Sequence, residues 1–395
     1  MSILTRFFPC KISEVRFDKT LACGQSFRWH EDKEGRWIGV IGNAVWKLWQ
    51  TNTHIYYQTF RANEMMTDVK PIIAEDCSTK IECTSCIHQT IDYTAFCCCP
   101  DRDEAILRNY LNLHINLEEL YKTWSDADEH FKDIAQKFTG IRMLRQPPVE
   151  CLFSFICSSN NHISRIGGMV EKLTVNFGEK IANVDGMDYF TFPKVSRLAA
   201  VGVEDQLRKL GFGYRAKYIQ KSAEFIISNG GEDWLYVLRD LPYKESKTSL
   251  MQLCGVGAKV ADCVALMCLD KPGSIPVDTH VWQIAARDYM PKLAQAKSLT
   301  DKLYEEIGEH FRNLWGPYAG WAHSVLFAAD LRKFKEPNTV KKTSPIKRKQ
   351  TVGEPKRLEI KEEKKAKVLD VVEQTGDTIN QTEGKPSLRQ RRVKK

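Results

Sequence analysis

Leu253-Cys254-Gly255-Val256-Gly257-Ala258-Lys259-Val260-Ala261-Asp262-Cys263, with Pro276-Val277-Asp278-Thr279-His280 a short way on, is the stretch that decides how this chain reads. Two glycines around one apolar residue make a tight turn, and their backbone N–H groups can point outward toward phosphate oxygens. Lys259 then falls in the first turn of a largely apolar helix, where the helix dipole and partial burial both disfavour a cation. That setting suits a neutral amine able to attack carbon. Asp278 stands where an N-cap is expected, and backbone N–H groups there hold a carboxylate ionised and aimed. A hairpin that binds phosphate, an amine and an acid therefore lie close together in the chain.

Outward from that unit, the chain divides into four parts. Residues 1 to about 60 carry strand signals at Gln25-Ser26-Phe27-Arg28-Trp29, Arg36-Trp37-Ile38-Gly39-Val40, Ala44-Val45-Trp46-Lys47-Leu48-Trp49 and Tyr56-Tyr57-Gln58-Thr59-Phe60. Aromatic and branched residues alternate there with polar ones, as in an antiparallel sheet. Phe8-Pro9-Cys10 and Glu14-Val15-Arg16-Phe17 read as the first strand. Residues 61–102 lack periodicity. From about 103 to 333 the pattern is almost entirely helical, broken at Asn161, Gly211-Phe212-Gly213, Pro272-Gly273 and Gly316-Pro317. After Lys335 the aromatics stop, and a disordered basic tail is expected. The expected fold is α+β: an antiparallel N-terminal sheet domain with a helical end (1–147), an all-helical domain (148–335) and the tail (336–395).

Composition narrows the classes. The 395 residues are 43% hydrophobic, enough for real cores. No run is long and apolar enough to span a bilayer, and the start is too short and too basic for a secretory signal. Residues 1–13 contain no acid, as in a mitochondrial presequence, yet they already read as the sheet domain's beginning. Thirteen cysteines in a chain of intracellular type suggest reduced thiols. From Glu336 onward, 17 Lys+Arg face 9 Asp+Glu, a balance of +8 that equals the whole chain's. The remainder is neutral, so any nucleic-acid affinity of the folded part must come from a local basic face and backbone donors.

Helical periodicity groups further residues. Lys259, Cys263 and Met267 are spaced by four, as are His323, Phe327 and Leu331, so each set shares a face. Taken alone such stripes usually face a core. Beside Lys259 they also read as an apolar wall, an aromatic plate and a polar edge, the furnishing of a pocket for a flipped-out base.

The chain resembles the helix-hairpin-helix DNA glycosylases, and within them the eukaryotic 8-oxoguanine DNA glycosylase/lyases. The resemblance rests on five ordered motifs. Besides the hairpin these are Gly24-Gln25-Ser26-Phe27-Arg28-Trp29, Leu152-Phe153-Ser154-Phe155-Ile156-Cys157-Ser158-Ser159-Asn160-Asn161, Gly211-Phe212-Gly213-Tyr214-Arg215 and Trp315-Gly316-Pro317-Tyr318-Ala319-Gly320-Trp321-Ala322. It implies excision of 8-oxoguanine paired with cytosine in duplex DNA, then nicking through a lysine Schiff base, with no metal and no diffusible cofactor. Lys259 and Asp278 take the catalytic positions. Cys263, Met267 and Phe327 take the pocket walls, and the Gly24 carbonyl accepts the N7–H that only oxidised guanine carries. Gly255, Gly257 and Val260 offer amides to phosphate, with His280 beside them. Asn160, Asn161, Arg165 and Arg215 match the reading of the opposite cytosine, and Tyr214 matches a wedge that bends the duplex.

Three departures stand out. His323 occupies the place of a glutamine that reads the base edge, which replaces an amide's paired donor and acceptor by separate ring nitrogens and brings a pH dependence near neutrality into view. His162 replaces an asparagine. The stretch 61–102 carries Cys77, Cys83, Cys86, Cys97, Cys98 and Cys99; these could in principle hold zinc, but three adjacent cysteines are an awkward ligand set, and a surface insertion is expected instead. Two other functions stay open: a glycosylase for other oxidised or alkylated purines, and a binding protein for damaged DNA without catalysis, which would not need Lys259 and Asp278 together. The tail's Lys341-Lys342, Lys347-Arg348-Lys349 and Arg389–Lys395 suit nuclear import, with a mitochondrial pool in addition. A monomer is expected, working with downstream repair proteins and no membrane.

Overall fold

The computed structural model describes residues 4–62, 102–331 and 334. The cysteines between 77 and 99 and the basic tail lie outside them. The N-terminal part is one antiparallel sheet built from β1 (Arg6–Pro9), β2 (His30–Glu31), β3 (Trp37–Ile41), β4 (Ala44–Gln50) and β5 (His54–Arg61), in the order β1-β5-β4-β3-β2. Alternation sends Trp37, Ile41, Trp46, Leu48 and Tyr57 to one face. There they pack on Phe17 of the single-turn helix α1 (Phe17–Thr20) and on Ile106, Leu107 and Tyr110 of α2 (Arg102–Tyr110). Helices α3 (Leu117–Ala127) and α4 (Glu129–Ala135) follow, capped by Asn116 and Asp128.

The strand β3 is buried on both faces, which explains its unbroken apolar run. Its outward residues Ile38 and Val40 pack against Ile181, Val184 and Tyr189. Those belong to a hairpin, β6 (Lys180–Val184) with β7 (Met187–Phe190), set inside a region expected to be helical throughout. Asp185 and Gly186 both take positive φ (51° and 83°), the two-residue turn that an Asp-Gly pair favours. The buried Lys47 of β4 reaches this turn, 2.6 Å from Asp185.

One expected strand, Gln25–Trp29, is absent, and the expected first strand stops at Pro9, before Glu14–Phe17. Gln25–Trp29 is irregular because its polar groups are used crosswise. Gln25 Nε2 donates to the Arg142 carbonyl (2.9 Å), its Oε1 accepts from Leu144 N–H (3.0 Å), and Gln146 Nε2 donates to the Gln25 carbonyl (2.9 Å). Glu14–Phe17 alternates because Val15 and Phe17 are both buried anchors. Arg16 N–H bonds Gly140 instead of a strand, and Phe17 opens α1.

The helical part comprises α5 (Pro148–Ile156), α6 (Ile163–Phe177), the hairpin, α7 (Val195–Leu198), α8 (Val203–Lys209), α9 (Arg215–Ser228), α10 (Glu232–Asp240), α11 (Tyr243–Leu250), α12 (Ala258–Cys268), α13 (Thr279–Ile284), α14 (Asp301–Trp315) and α15 (Ala319–Asp330). A turn of π-helix, Ala285–Tyr289, continues α13. Helix α12 runs through the core with every residue from Val260 to Cys268 buried, as a helix that is apolar nearly all round must. Leu331 lies past the end of α15 in extended backbone, so it leaves the face it was expected to share with His323 and Phe327.

Candidate active site

The turn between α11 and α12 puts Gly255 at φ +82°, against Tyr218 of α9. A Cβ at Gly255 would overlap the Tyr218 ring, whereas one at Gly257 would meet nothing within 4 Å. The missing side chain of the first glycine therefore serves the fold, while its amide stays available, and the second leaves an open surface in front of the first amides of α12. Val256 between them is buried and anchors the turn.

Lys259 follows at the start of α12, partly buried, with Nζ 5.4 Å from the centre of the Phe155 ring. One turn on, burial pushes the Cys263 thiol up to about 11, opposed by the charge of Lys259; it is a neutral thiol at neutral pH. Asp278 caps α13, its Oδ1 accepting from Val281 N–H at 3.0 Å. His280, two residues on, is exposed, with its ring centre 6.2 Å from that of Phe327.

Gly24, Lys259, Cys263, Met267, Asp278, His323 and Phe327 line one cavity of about 60 Å³. They come from the irregular segment after α1, from α12, from the cap of α13 and from α15, so the cavity lies where the two parts of the chain meet. Phe155 of α5 is a further wall; its motif was visible in the sequence, but nothing there assigned it to the pocket. His323 is buried, and neither ring nitrogen meets full hydrogen-bond geometry, with only the Gly320 carbonyl one turn back favouring its protonated form. Burial holds its imidazole down to about 4, against the pull of Asp278. Its titration thus leaves the neutral range expected from its residue type.

The residues expected to touch DNA form a chain of contacts beside this cavity. Tyr214 is 45% exposed, and its hydroxyl donates to the Ser159 carbonyl at 3.0 Å. Tyr214 packs edge-on against Tyr218, the ring under Gly255. Asn160 and Arg165 are exposed, and Asn160 takes φ +46°. Arg215 is buried and turned inward: its Nη2 donates to Ser159 and, at 3.1 Å, to the Asn160 carbonyl, leaving Nε unpartnered. Asn161 is likewise turned inward, donating to the Cys157 carbonyl at 2.9 Å. Val260 is buried, and only its backbone can face a ligand. Ile163, which no motif or periodicity singled out, is 41% exposed, and its Cδ1 sits 3.1 Å from where a Cβ on Gly24 would lie. It joins the Asn160 loop to the cavity. Among the described residues no group of three or more His, Cys, Asp or Glu is placed to hold a metal.

Comparison with known proteins gives the family of the chain. Residues 7–152 match the model of the 8-oxoguanine DNA glycosylase N-terminal domain, and residues 153–310 that of the HhH-GPD superfamily base excision DNA repair proteins. The chain is 38% identical to the N-glycosylase/DNA lyase OGG1 of Arabidopsis thaliana over 82% of this chain and 80% of that one. It is 33% identical to the N-glycosylase/DNA lyase of Saccharomyces cerevisiae over 81% and 84%. A solved structure of MBOgg1 in complex with a low affinity DNA ligand superposes with a TM-score of 0.65 at 25% identity, covering 83% of this chain and 98% of that one.

Proposed function

Because the chain belongs to the 8-oxoguanine DNA glycosylase family, whose members both excise a base and nick the strand, we propose how its own residues divide that work on 8-oxoguanine paired with cytosine. The Lys259 amine attacks C1′ of the flipped nucleotide. The C1′–N9 bond breaks, and its electron pair leaves with the base, which takes up the proton that the amine gives up. Asp278 stabilises the positive charge that develops at C1′. Opening of the sugar ring gives the Schiff base, and loss of a C2′ proton expels the 3′ phosphate.

Before that, Cys263 and Phe327 sandwich the base, Met267 closes the floor, the Gly24 carbonyl accepts N7–H, and His323 meets the opposite edge. Phe327 is half-buried at the cavity's edge, placed to close over an entering base. Gly255, Gly257, Val260 and His280 hold phosphate. Tyr214 fills the stack, with Asn160, Arg165 and Arg215 around the widowed cytosine. Nη2 of Arg215 holds the Ser159 and Asn160 carbonyls, which fixes the guanidinium beside the loop that carries Asn160. The basic runs of the tail suit action in the nucleus.

The observation that carries this reading is the single cavity that gathers an amine, a carboxylate, a thiol wall and an aromatic plate from distant segments. Borohydride trapping tests it on duplexes with 8-oxoguanine opposite C, 8-oxoguanine opposite A, or undamaged G. An adduct with 8-oxoguanine opposite C, lost in Lys259→Gln, is expected. Damage-selective binding with no adduct would make the protein a binder only, and an adduct on undamaged G would overturn the roles given to Gly24 and His323.

A further inference from the structure

Asp262 is a carboxylate with no exposed surface, on the same helix as Lys259 and one turn after it. A buried carboxylate is stable only when its lone pairs are filled, and here four donors converge on it. Its Oδ1 accepts from Tyr243 Oη at 2.6 Å and Ser274 Oγ at 2.8 Å. Its Oδ2 accepts from Tyr304 Oη at 2.5 Å and pairs with Lys247 Nζ at 3.0 Å. The donors come from α11, from the segment Ser274–Val277 and from α14.

Tyr304 carries the connection one step further. While its hydroxyl donates to Asp262, its oxygen accepts from Val277 N–H at 3.3 Å. Val277 directly precedes Asp278. The segment that delivers Asp278 is therefore tied to α12 at Ser274 and again at Val277, and both ties end on one carboxylate. A buried ion pair adds little net stability as a rule, whereas this one fixes the relative placement of the segments that its donors come from.

We propose that Asp262 and Tyr304 are positioning residues for base excision, clamping the backbone under Lys259 to the backbone under Asp278. This rests on the assignment of that lysine and aspartate as the reacting pair. Neither Asp262 nor Tyr304 lines the cavity, so both act through others.

The test is single-turnover excision by the full chain on the 8-oxoguanine·cytosine duplex, with Kd for that duplex measured in parallel. Tyr304→Phe removes one oxygen and leaves the ring in place. It should slow excision by about tenfold to a hundredfold, as misplacement of reacting groups does, with Kd changed by less than about twofold. Ser274→Ala, which cuts the other tie alone, should shift the rate in the same direction at unchanged Kd. A rate within about twofold of the parent in both variants overturns the clamp. So does a loss of rate matched by an equal loss of binding, since that is mere unfolding. An inactive parent, or a Lys259→Gln that still traps, overturns the reacting pair itself and the clamp with it.

Discussion

His323 brings two buried ring nitrogens into the cavity; neither meets full hydrogen-bond geometry within the protein, and the Gly320 carbonyl one turn back gives the ring only partial help. Each unsatisfied buried group costs about 1–3 kcal/mol, and a base edge is what would relieve it. The same burial ties stability to pH. The folded imidazole titrates at about 4 against 6.5 in the unfolded chain, so the unfolded state takes up the proton first as pH falls. Stability is then full above 6.5 and declines down to about 4, by about 3 kcal/mol at most. Replacing His323 by Leu should remove that part: the stability gap between variant and parent, measured by denaturation, should widen in the variant's favour from pH 7 to pH 4. A constant gap would mean the ring is charged or partnered in the folded protein. The variant should also excise about tenfold more slowly, the worth of one hydrogen bond to the base. Lys259, Asp278, Cys263 and Phe327 line one cavity; motif and family resemblance pointed there, whereas the spacing of Cys263 and Phe327 alone suited a plain core face. Arg215 was legible only in part: its side chain is buried against carbonyls 55 and 56 residues earlier, and no local pattern announces that. Asp262 carried no signal of its own in the sequence, because its four partners are spread over three other segments.

Among the elements, the glycine turn before α12 separates fold from function most cleanly. Gly255 needs positive φ and presses on Tyr218, so Gly255→Ala should cost more than the roughly 1–3 kcal/mol of backbone strain alone and lower Tm by several degrees. Gly257 has extended backbone and empty space around it. Gly257→Ala should leave Tm within about a degree yet weaken duplex binding several-fold, because the added methyl stands where a phosphate would approach. Equal binding by Gly257→Ala and parent would remove the phosphate role from this turn. The strands Trp37–Ile41, Ala44–Gln50 and His54–Arg61 were readable because both their alternation and their turns are local. Gln25–Trp29 misled because its alternation is real while its hydrogen bonds go to residues 142–146. The hairpin Lys180–Phe190 was overlooked despite its Asp-Gly turn; flanking helices outweighed a signal of two residues.

At the scale of the whole molecule, charge and chemistry are segregated. The chain up to Lys335 is neutral, and the remainder carries the entire +8. Selectivity for a damaged base must then reside in the cavity and its surrounding donors. Part of the salt-sensitive attraction to any duplex should reside in the last sixty residues. A chain ending at Pro337, the limit of its compact unit, should bind both damaged and undamaged duplex more weakly at low salt. Every phosphate that the tail no longer neutralises should flatten the plot of log affinity against log salt by about 0.9. The preference for 8-oxoguanine over guanine should be unchanged, because the cavity is intact. Titrations of both duplexes at several salt concentrations decide the matter. An unchanged slope would place all phosphate binding on the folded body, and a changed preference would mean that the tail reaches into damage recognition.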